Sequence, residues 1–191
     1  MSKKLVIIGA GGVGREIAAA LKCYPIEGYQ LIGFIDDGQQ AGSIINGLQI
    51  LGNMQWIIDN DNDLGVIIAI GNPQIREKIV RTLKSTRVTY PVLIGSNVNI
   101  HDPERVKIGL GCYIADGCIL TTDIVIGDFC FLNTACTLQH DTVVGNYCVL
   151  MPGVRITGGA TIGNATYISP NCIISSNVVL EDNRIIKESI V

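Results

Sequence analysis

The chain has 191 residues, 48% of them hydrophobic but only 16% charged and 5% aromatic, with a formal net charge of −3. That length and apolar content suffice for one or two well-cored domains. The slight acidity, without a basic run, excludes the electrostatic footprint of a nucleic-acid binder.

Met1-Ser2-Lys3-Lys4 leads into a short apolar run that ends in glycines. No secretory signal or membrane insertion is therefore expected, and the chain reads as soluble and cytoplasmic. Leu5-Val6-Ile7-Ile8 predicts a buried strand, followed by the GxGxxG of Gly9 to Gly14 and a helix over 13–22. A second strand is predicted over 31–35, running into Asp36-Asp37, and a third over 66–70, running into Gly71-Asn72-Pro73. A helix opens at Pro73, a first-turn position that proline suits, with Ile75, Ile79, Val80 and Leu83 expected on its apolar face. Alternating strands and helices predict a small Rossmann-like parallel sheet over 1–90, whose strand carboxyl ends form a crevice. An acidic pair about twenty residues past the glycines suggests dinucleotide binding, but the segment has room for only half of a two-part nucleotide fold. A nucleotide-type ligand fits better, with phosphate on glycine amides and a helix N-terminus and an aspartate for base or ribose.

From Ile108 to Ile186 every sixth residue is a branched aliphatic. Neither a helix of period 3.6 nor an alternating strand produces that spacing; a hexapeptide period marks a parallel β-helix, assigned here to 91–191. Two residues before each aliphatic lies a second inward position, small or apolar until Arg184. Three faces per coil make an eighteen-residue repeat, about four and a half coils and on the order of 20 Å tall at the sheet spacing. Six of the seven cysteines occupy the inward phase, where a small hydrophobe is needed; free packed thiols are expected, and no CxxC favours zinc. The positions just before each aliphatic, including Tyr113, Ile119, Val125, Phe131, Val143, Val149, Tyr167, Ile173 and Val179, should point outward. So much apolar surface predicts a homo-oligomer.

His140 falls two residues after Leu138, on a corner, with Asp141 beside it. The same corner on neighbouring coils carries Thr121-Thr122, Thr157-Gly158 and Ser175-Ser176, a small uncharged column that predicts a shallow groove. A histidine there suits general-base chemistry, with an acid to hold its tautomer. Another corner, with Gly127-Asp128, Gly145-Asn146 and Glu181-Asp182, reads as plain solvated turns. His101 lies ahead of the regular repeat and reads as a loop residue.

The layout GAGGVG (9–14), DD (36–37), IGNPQIR (70–76) and hexapeptide repeats with NTACTLQHD (133–141) resembles the bacterial sugar O- and N-acetyltransferases. These include sialic acid O-acetyltransferases and enzymes acting on UDP-4-amino-sugars. The resemblance covers essentially the whole chain. It implies a left-handed β-helix, a homotrimer with active sites between subunits, acetyl-CoA as co-substrate, and no metal. It assigns His140 as general base, Asp141 as its support and Asn133 as an active-site asparagine. Gly158, with Thr157 and Ser176 of the same groove, falls to acetyl-CoA; Gly11, Asp36, Asp37, Gly71, Asn72 and Arg76 fall to the nucleotide sugar. The chain departs from many relatives at Val13 and Val149, where they carry histidines, and at Lys187-Glu188-Ser189 in the last coil. The function expected is acetyl transfer to the amine of a nucleotide-linked amino sugar in bacterial surface-glycan synthesis. The alternatives are a sugar O-acetyltransferase of the sialic acid type and a non-catalytic nucleotide-sugar-binding trimer.

Overall fold

A computed structural model describes residues 2–60 and 63–191. The chain divides into two compact units, Met1–Gly71 with Lys78–Pro91, and Asn72–Glu77 with Val92–Val191.

The first unit is built on a five-stranded sheet of order β3-β4-β2-β1-β5: β1 Lys3–Ile8, β2 Tyr29–Ile35, β3 Ile44–Ile45, β4 Leu48–Gly52 and β5 Leu64–Ile68. All neighbours run parallel except β3 and β4. β1 lies inside the sheet, which is why Leu5 to Ile8 is a continuous apolar run rather than an alternating one. Helix α1, Gly12–Cys23, buries Ile17, Ala18, Ala20 and Leu21. Gly14 is required where it stands, because a Cβ there would strike the carbonyl oxygen of Gly9. The hairpin β3–β4 was not anticipated, although its signal is present: Asn46-Gly47 turns with φ of 48° and 82° at both residues, between Ile44-Ile45 and Leu48. A short helix, α2 Met54–Asp59, was also missed; Asn53 caps it by accepting from the Gln55 amide at 3.1 Å.

Helix α3, Pro73–Thr82, differs from expectation in which face it buries. Ile75 is 47% exposed, whereas Pro73 and Arg76 are buried and Leu83 follows them. Residues 72–77 belong to the second unit, and Arg76 explains why. Its Nε and Nη2 both donate to the Phe129 carbonyl, at 3.0 and 2.8 Å. Burial holds the guanidinium below its ordinary value, at about 10, so it still carries its charge at neutral pH.

The second unit is a left-handed parallel β-helix with three flat faces. Face one stacks Leu93–Ile94, Tyr113–Ile114, Phe131–Leu132, Val149–Leu150, Tyr167–Ile168 and Ile185–Ile186. Faces two and three stack five strands each; Thr137–Leu138 is central to face two and Val143–Val144 to face three. Partners lie eighteen residues apart through most of the stack, as in Tyr113, Phe131, Val149 and Tyr167. The solenoid starts a coil earlier than the strict period shows. Leu93 pairs with Tyr113 and Asn99 with Ile119, so two extra residues sit in the Asp102–Arg105 turn and throw the first coil out of phase. At the other end the Ile190 amide donates to the Ile173 carbonyl, and Ser189 Oγ accepts from the Ile173 amide.

The corner residue in left-handed conformation is the third after each aliphatic, beyond the two positions that composition marked. Asp123, Phe129, Ala135, Asp141, Tyr147, Ala165, Asn171, Asn177 and Asn183 all have φ between 52° and 62°. At Phe129 and Tyr147 that conformation costs on the order of 1 kcal/mol each, and their rings stack with centroids 5.5 Å apart.

Inside, the aliphatic column and the cysteines are almost fully buried. The thiols do more than fill space. Cys112, Cys130 and Cys148 each donate to a corner carbonyl one coil on, those of Gly127, Gly145 and Gly163, at 3.0 to 3.1 Å. Outside, the expectation of a uniformly outward apolar row holds on two faces only. Ile119, Val125, Val143 and Val179 are exposed, but Tyr113, Phe131 and Val149 on face one are buried within the chain. Among the described residues no helix is long and apolar enough to cross a membrane.

Candidate functional site

His140 stands on the corner between faces two and three, two residues after the fully buried Leu138. The core on one side and the turn on the other leave its ring pointing off the corner, with 62% of the side chain exposed. Asp141 follows in the left-handed conformation, φ 60°, which aspartate tolerates better than most residues. That backbone brings Asp141 Oδ2 to 2.8 Å from His140 Nδ1, a contact that adjacency in sequence could not establish. A carboxylate on Nδ1 favours the tautomer with the proton there and leaves the Nε2 lone pair free to take a proton.

The small-residue column seen in the sequence stacks on the neighbouring coils. On one side lies Gly158: a Cβ built there would stand 2.5 Å from His140 Cε1 and 2.7 Å from Nε2. The Gly159 amide donates to the His140 carbonyl at 2.9 Å, which locks the two coils in register. Ser176 Oγ donates to Thr157 Oγ1 at 3.2 Å, and Thr157 Oγ1 donates to the Ile174 carbonyl at 2.9 Å. On the other side Thr122 Oγ1 donates to Asp102 Oδ2 at 2.9 Å, and Asp123 pairs with Arg105, whose Nε donates at 2.6 Å. Arg105 holds the Asp123 carboxyl below the usual carboxylate range, chiefly through that hydrogen bond, and a charged His140 would act in the same sense. This acid–base pair was missed, because the two-residue insertion hides that Arg105 and Asp123 share the corner.

Asn133 does not join His140 within one chain. It is 8% exposed, on the corner before face two, with Oδ1 accepting from the Thr134 amide at 2.7 Å; the strand Thr137–Leu138 separates the two side chains. Val149, where many relatives are expected to carry a histidine, is fully buried in the chain.

In the first unit the loops after β1, β2 and β5 meet at one edge of the sheet. The Gly9 amide donates to the Ile35 carbonyl, and the Ala69 amide donates to the Ile8 carbonyl, both at 2.8 Å. Asp36 Oδ2 accepts from the Ala10 amide at 2.8 Å and Oδ1 from the Gly38 amide at 2.9 Å, so this carboxylate ties the glycine turn to the next loop. Asp37 Oδ1 accepts from the Met54 amide at 3.0 Å. A cleft of about 510 Å³ opens beside them, lined also by Asn53, Gln55, Trp56 and Asp59. Gly11 and Gly71 face open space, since a Cβ on either would meet nothing within 4 Å. Asn72 caps α3, its Oδ1 accepting from the Ile75 amide at 3.0 Å. Arg76, expected at the substrate, is 1% exposed and occupied by the Phe129 carbonyl, so its observed work is structural.

Residues 4–83 match the PglD N-terminal domain model, and residues 123–158 match the bacterial transferase hexapeptide model of six repeats. The acetyltransferase domain of PglB from Neisseria gonorrhoeae FA1090 is similar in structure, with 26% identity, a TM-score of 0.70, and coverage of 100% of this chain and 94% of that one. The two models thus fall on the N-terminal sheet unit and on the middle of the solenoid. The chain is also similar in structure to WeeI from Acinetobacter baumannii AYE, at 27% identity, a TM-score of 0.66, and 97% and 92% coverage. A mutant of perosamine N-acetyltransferase from Caulobacter crescentus, solved with CoA and GDP-perosamine, has the same fold at 21% identity, a TM-score of 0.76, and 98% and 90% coverage. No curated protein matches the chain significantly.

Proposed function

We propose that the protein transfers the acetyl group of acetyl-CoA to the amine of a nucleotide-linked amino sugar, in the cytoplasm, for bacterial surface-glycan synthesis. The observation that carries this reading is the His140 imidazole, held at Nδ1 by Asp141 and lying against a glycine on a hexapeptide transferase solenoid. The acetyltransferase domain of PglB, and the perosamine N-acetyltransferase solved with CoA and GDP-perosamine, support the donor and the acceptor class.

The residues divide the chemistry as follows. Asp141 keeps the Nδ1 proton in place, and His140 Nε2 removes a proton from the acceptor nitrogen as that nitrogen attacks the thioester carbonyl. The thioester supplies an activated acyl group whose carbonyl oxygen becomes an oxyanion; an amide of the groove, with Gly158 the candidate, stabilises it. Collapse breaks the carbon–sulfur bond, and His140 returns its proton to the departing thiolate. Thr157 and Ser176 line the cofactor side of the same corner.

Nucleotide binding falls to the first unit, with Gly11 and Gly71 giving open backbone and Asp36 and Asp37 the polar edge. Arg76 is left out of this set because it is buried. The exposed Val125, Val143 and Val179 support assembly as a homotrimer with sites between subunits, in which Asn133 of one copy can approach His140 of the next.

The test is release of free coenzyme A thiol from acetyl-CoA with UDP-, GDP- and dTDP-amino-sugars and with free sialic acid. Turnover with one nucleotide amino sugar supports the proposal. Turnover with sialic acid alone would replace it by O-acetylation. No turnover, with no acetyl-CoA-dependent rise in melting temperature, would replace it by a non-catalytic binder.

A further inference from the structure

We propose that Gly158 is a positioning residue for His140: the missing side chain at 158 is the seat of the imidazole. The proposal rests on the reading of His140 as the base. Two separate observations carry it. The first is contact. Three atoms of the ring, Cε1, Nε2 and Nδ1, lie 2.5, 2.7 and 3.0 Å from where a Cβ of residue 158 would stand, closer than any real Cβ contact allows at the first two. The second is that the backbone there does not demand glycine. Gly158 lies outside the positive-φ region, so its backbone is one that any residue adopts. Its neighbour Gly159 is the opposite case, with φ 74° and a Cβ position blocked by Asn177 Oδ1. The two adjacent glycines thus answer to different constraints, one conformational and one set at closest range by the imidazole.

The column confirms that the constraint is local. Thr122 and Ser176 occupy the same corner one coil to either side of the pair, and both have side chains. Only the position stacked against His140 in this direction is bare. A methyl group at 158 would turn the ring away and lengthen the Nδ1–Asp141 contact, now 2.8 Å. It would also carry Nε2 away from the groove. The charged groups on this corner are Asp141 on the ring's own turn, Asp123 one coil earlier, and Arg105 and Asp102 two coils earlier; Thr157 and Gly158 one coil later and Ser176 two coils later carry no charge. A displaced imidazole therefore loses the Asp141 hydrogen bond at Nδ1, and its Nδ1 resonance must move.

The experiment compares Gly158→Ala with the parent protein, alone and in the His140→Ala background. With only His101 and His140 in the chain, ring resonances are assigned by the single deletion. The expected result is a displaced His140 Nδ1 resonance in 15N-labelled protein, kcat lower by about 10²-fold, as for a catalytic group moved by an ångström, and a KM for acetyl-CoA close to that of the parent. In the His140→Ala background the same substitution should add no loss. If Gly158→Ala alone does not fold but the double variant does, the collision is confirmed by stability instead. An unmoved His140 Nδ1 resonance in Gly158→Ala would overturn the proposal, as would an equal loss in both backgrounds or a double variant that cannot fold. A raised acetyl-CoA KM with an unmoved ring would also overturn it, reducing Gly158 to a cofactor contact. Should His140→Ala keep full activity, the base assignment falls, while the ring resonance still decides the seat.

Discussion

Two corners of the same solenoid, built on the same eighteen-residue repeat, use their polar residues in opposite ways. Between faces three and one, Asp128 Oδ1 accepts from the Leu110 amide, Asn146 from Asp128, Asn164 from Asn146 and Asp182 from Asn164, each at 2.7 to 2.8 Å. The glycines before them are bare because a Cβ on Gly109, Gly127, Gly145 or Gly163 would strike the Asx residue of the next coil. Composition suggested plain solvated turns there; the structure shows a hydrogen-bonded ladder that ties coil to coil. Between faces two and three no such ladder runs through Thr122, His140, Gly158 and Ser176. There the bare glycine faces an imidazole, whose Nε2 is the base of the proposed reaction. A polar side chain that holds its neighbours is structural; one that the next coil steps back from is available for chemistry.

The comparison can be broken, starting with the largest effect. Leu138→Asp puts a charge into the fully buried stack beneath both corners, at a cost of several kcal/mol. Loss of the cooperative thermal transition and of turnover together is expected, and a folded, active variant would undo the solenoid account. Arg76→Ala removes a charged donor pair from the carbonyl of Phe129, a residue of the ladder corner. About 2 kcal/mol of stability should go with it, read from the urea midpoint at unchanged slope. Asn146→Ala deletes one rung and orphans the Asp128 amide, for about 1 kcal/mol, with kcat unchanged; a fall in kcat would mean the corners are not independent. Asp123→Asn is the smallest. Arg105 depresses the Asp123 carboxyl, so its stabilisation is present above the ordinary carboxylate value and disappears as pH falls through the depressed one. The small gap in melting temperature between this variant and the parent at neutral pH should therefore close on acidification.

The solenoid was largely legible because one residue in six has a single permitted character, and an inward charge or an outward slip would show at once. The first coil was not, since the two residues inserted near Asp102 break phase while leaving the stacking intact. In the first unit, buried runs such as Leu5 to Ile8 declared themselves, but the Asn46-Gly47 hairpin and the Asn53-capped helix were passed over although their turn and cap residues are explicit. The site was readable in part. His140 and its small-residue column followed from phase, and Asp141 from adjacency, but the Nδ1 contact depends on a left-handed φ that sequence does not display. Arg76 misled for a physical reason. The resemblance assigned it to the nucleotide sugar, while its burial against the solenoid depends on the fold of residues far along the chain.

The most direct measurement sets His140→Ala beside Asn146→Ala in one assay of acetyl-CoA-dependent thiol release and one thermal melt. The account predicts a loss of about 10² to 10⁴ in kcat for His140→Ala with its melting temperature held, and the reverse pattern for Asn146→Ala. Full turnover in His140→Ala, or a comparable loss in both, would contradict the division of the solenoid into a structural corner and a catalytic one.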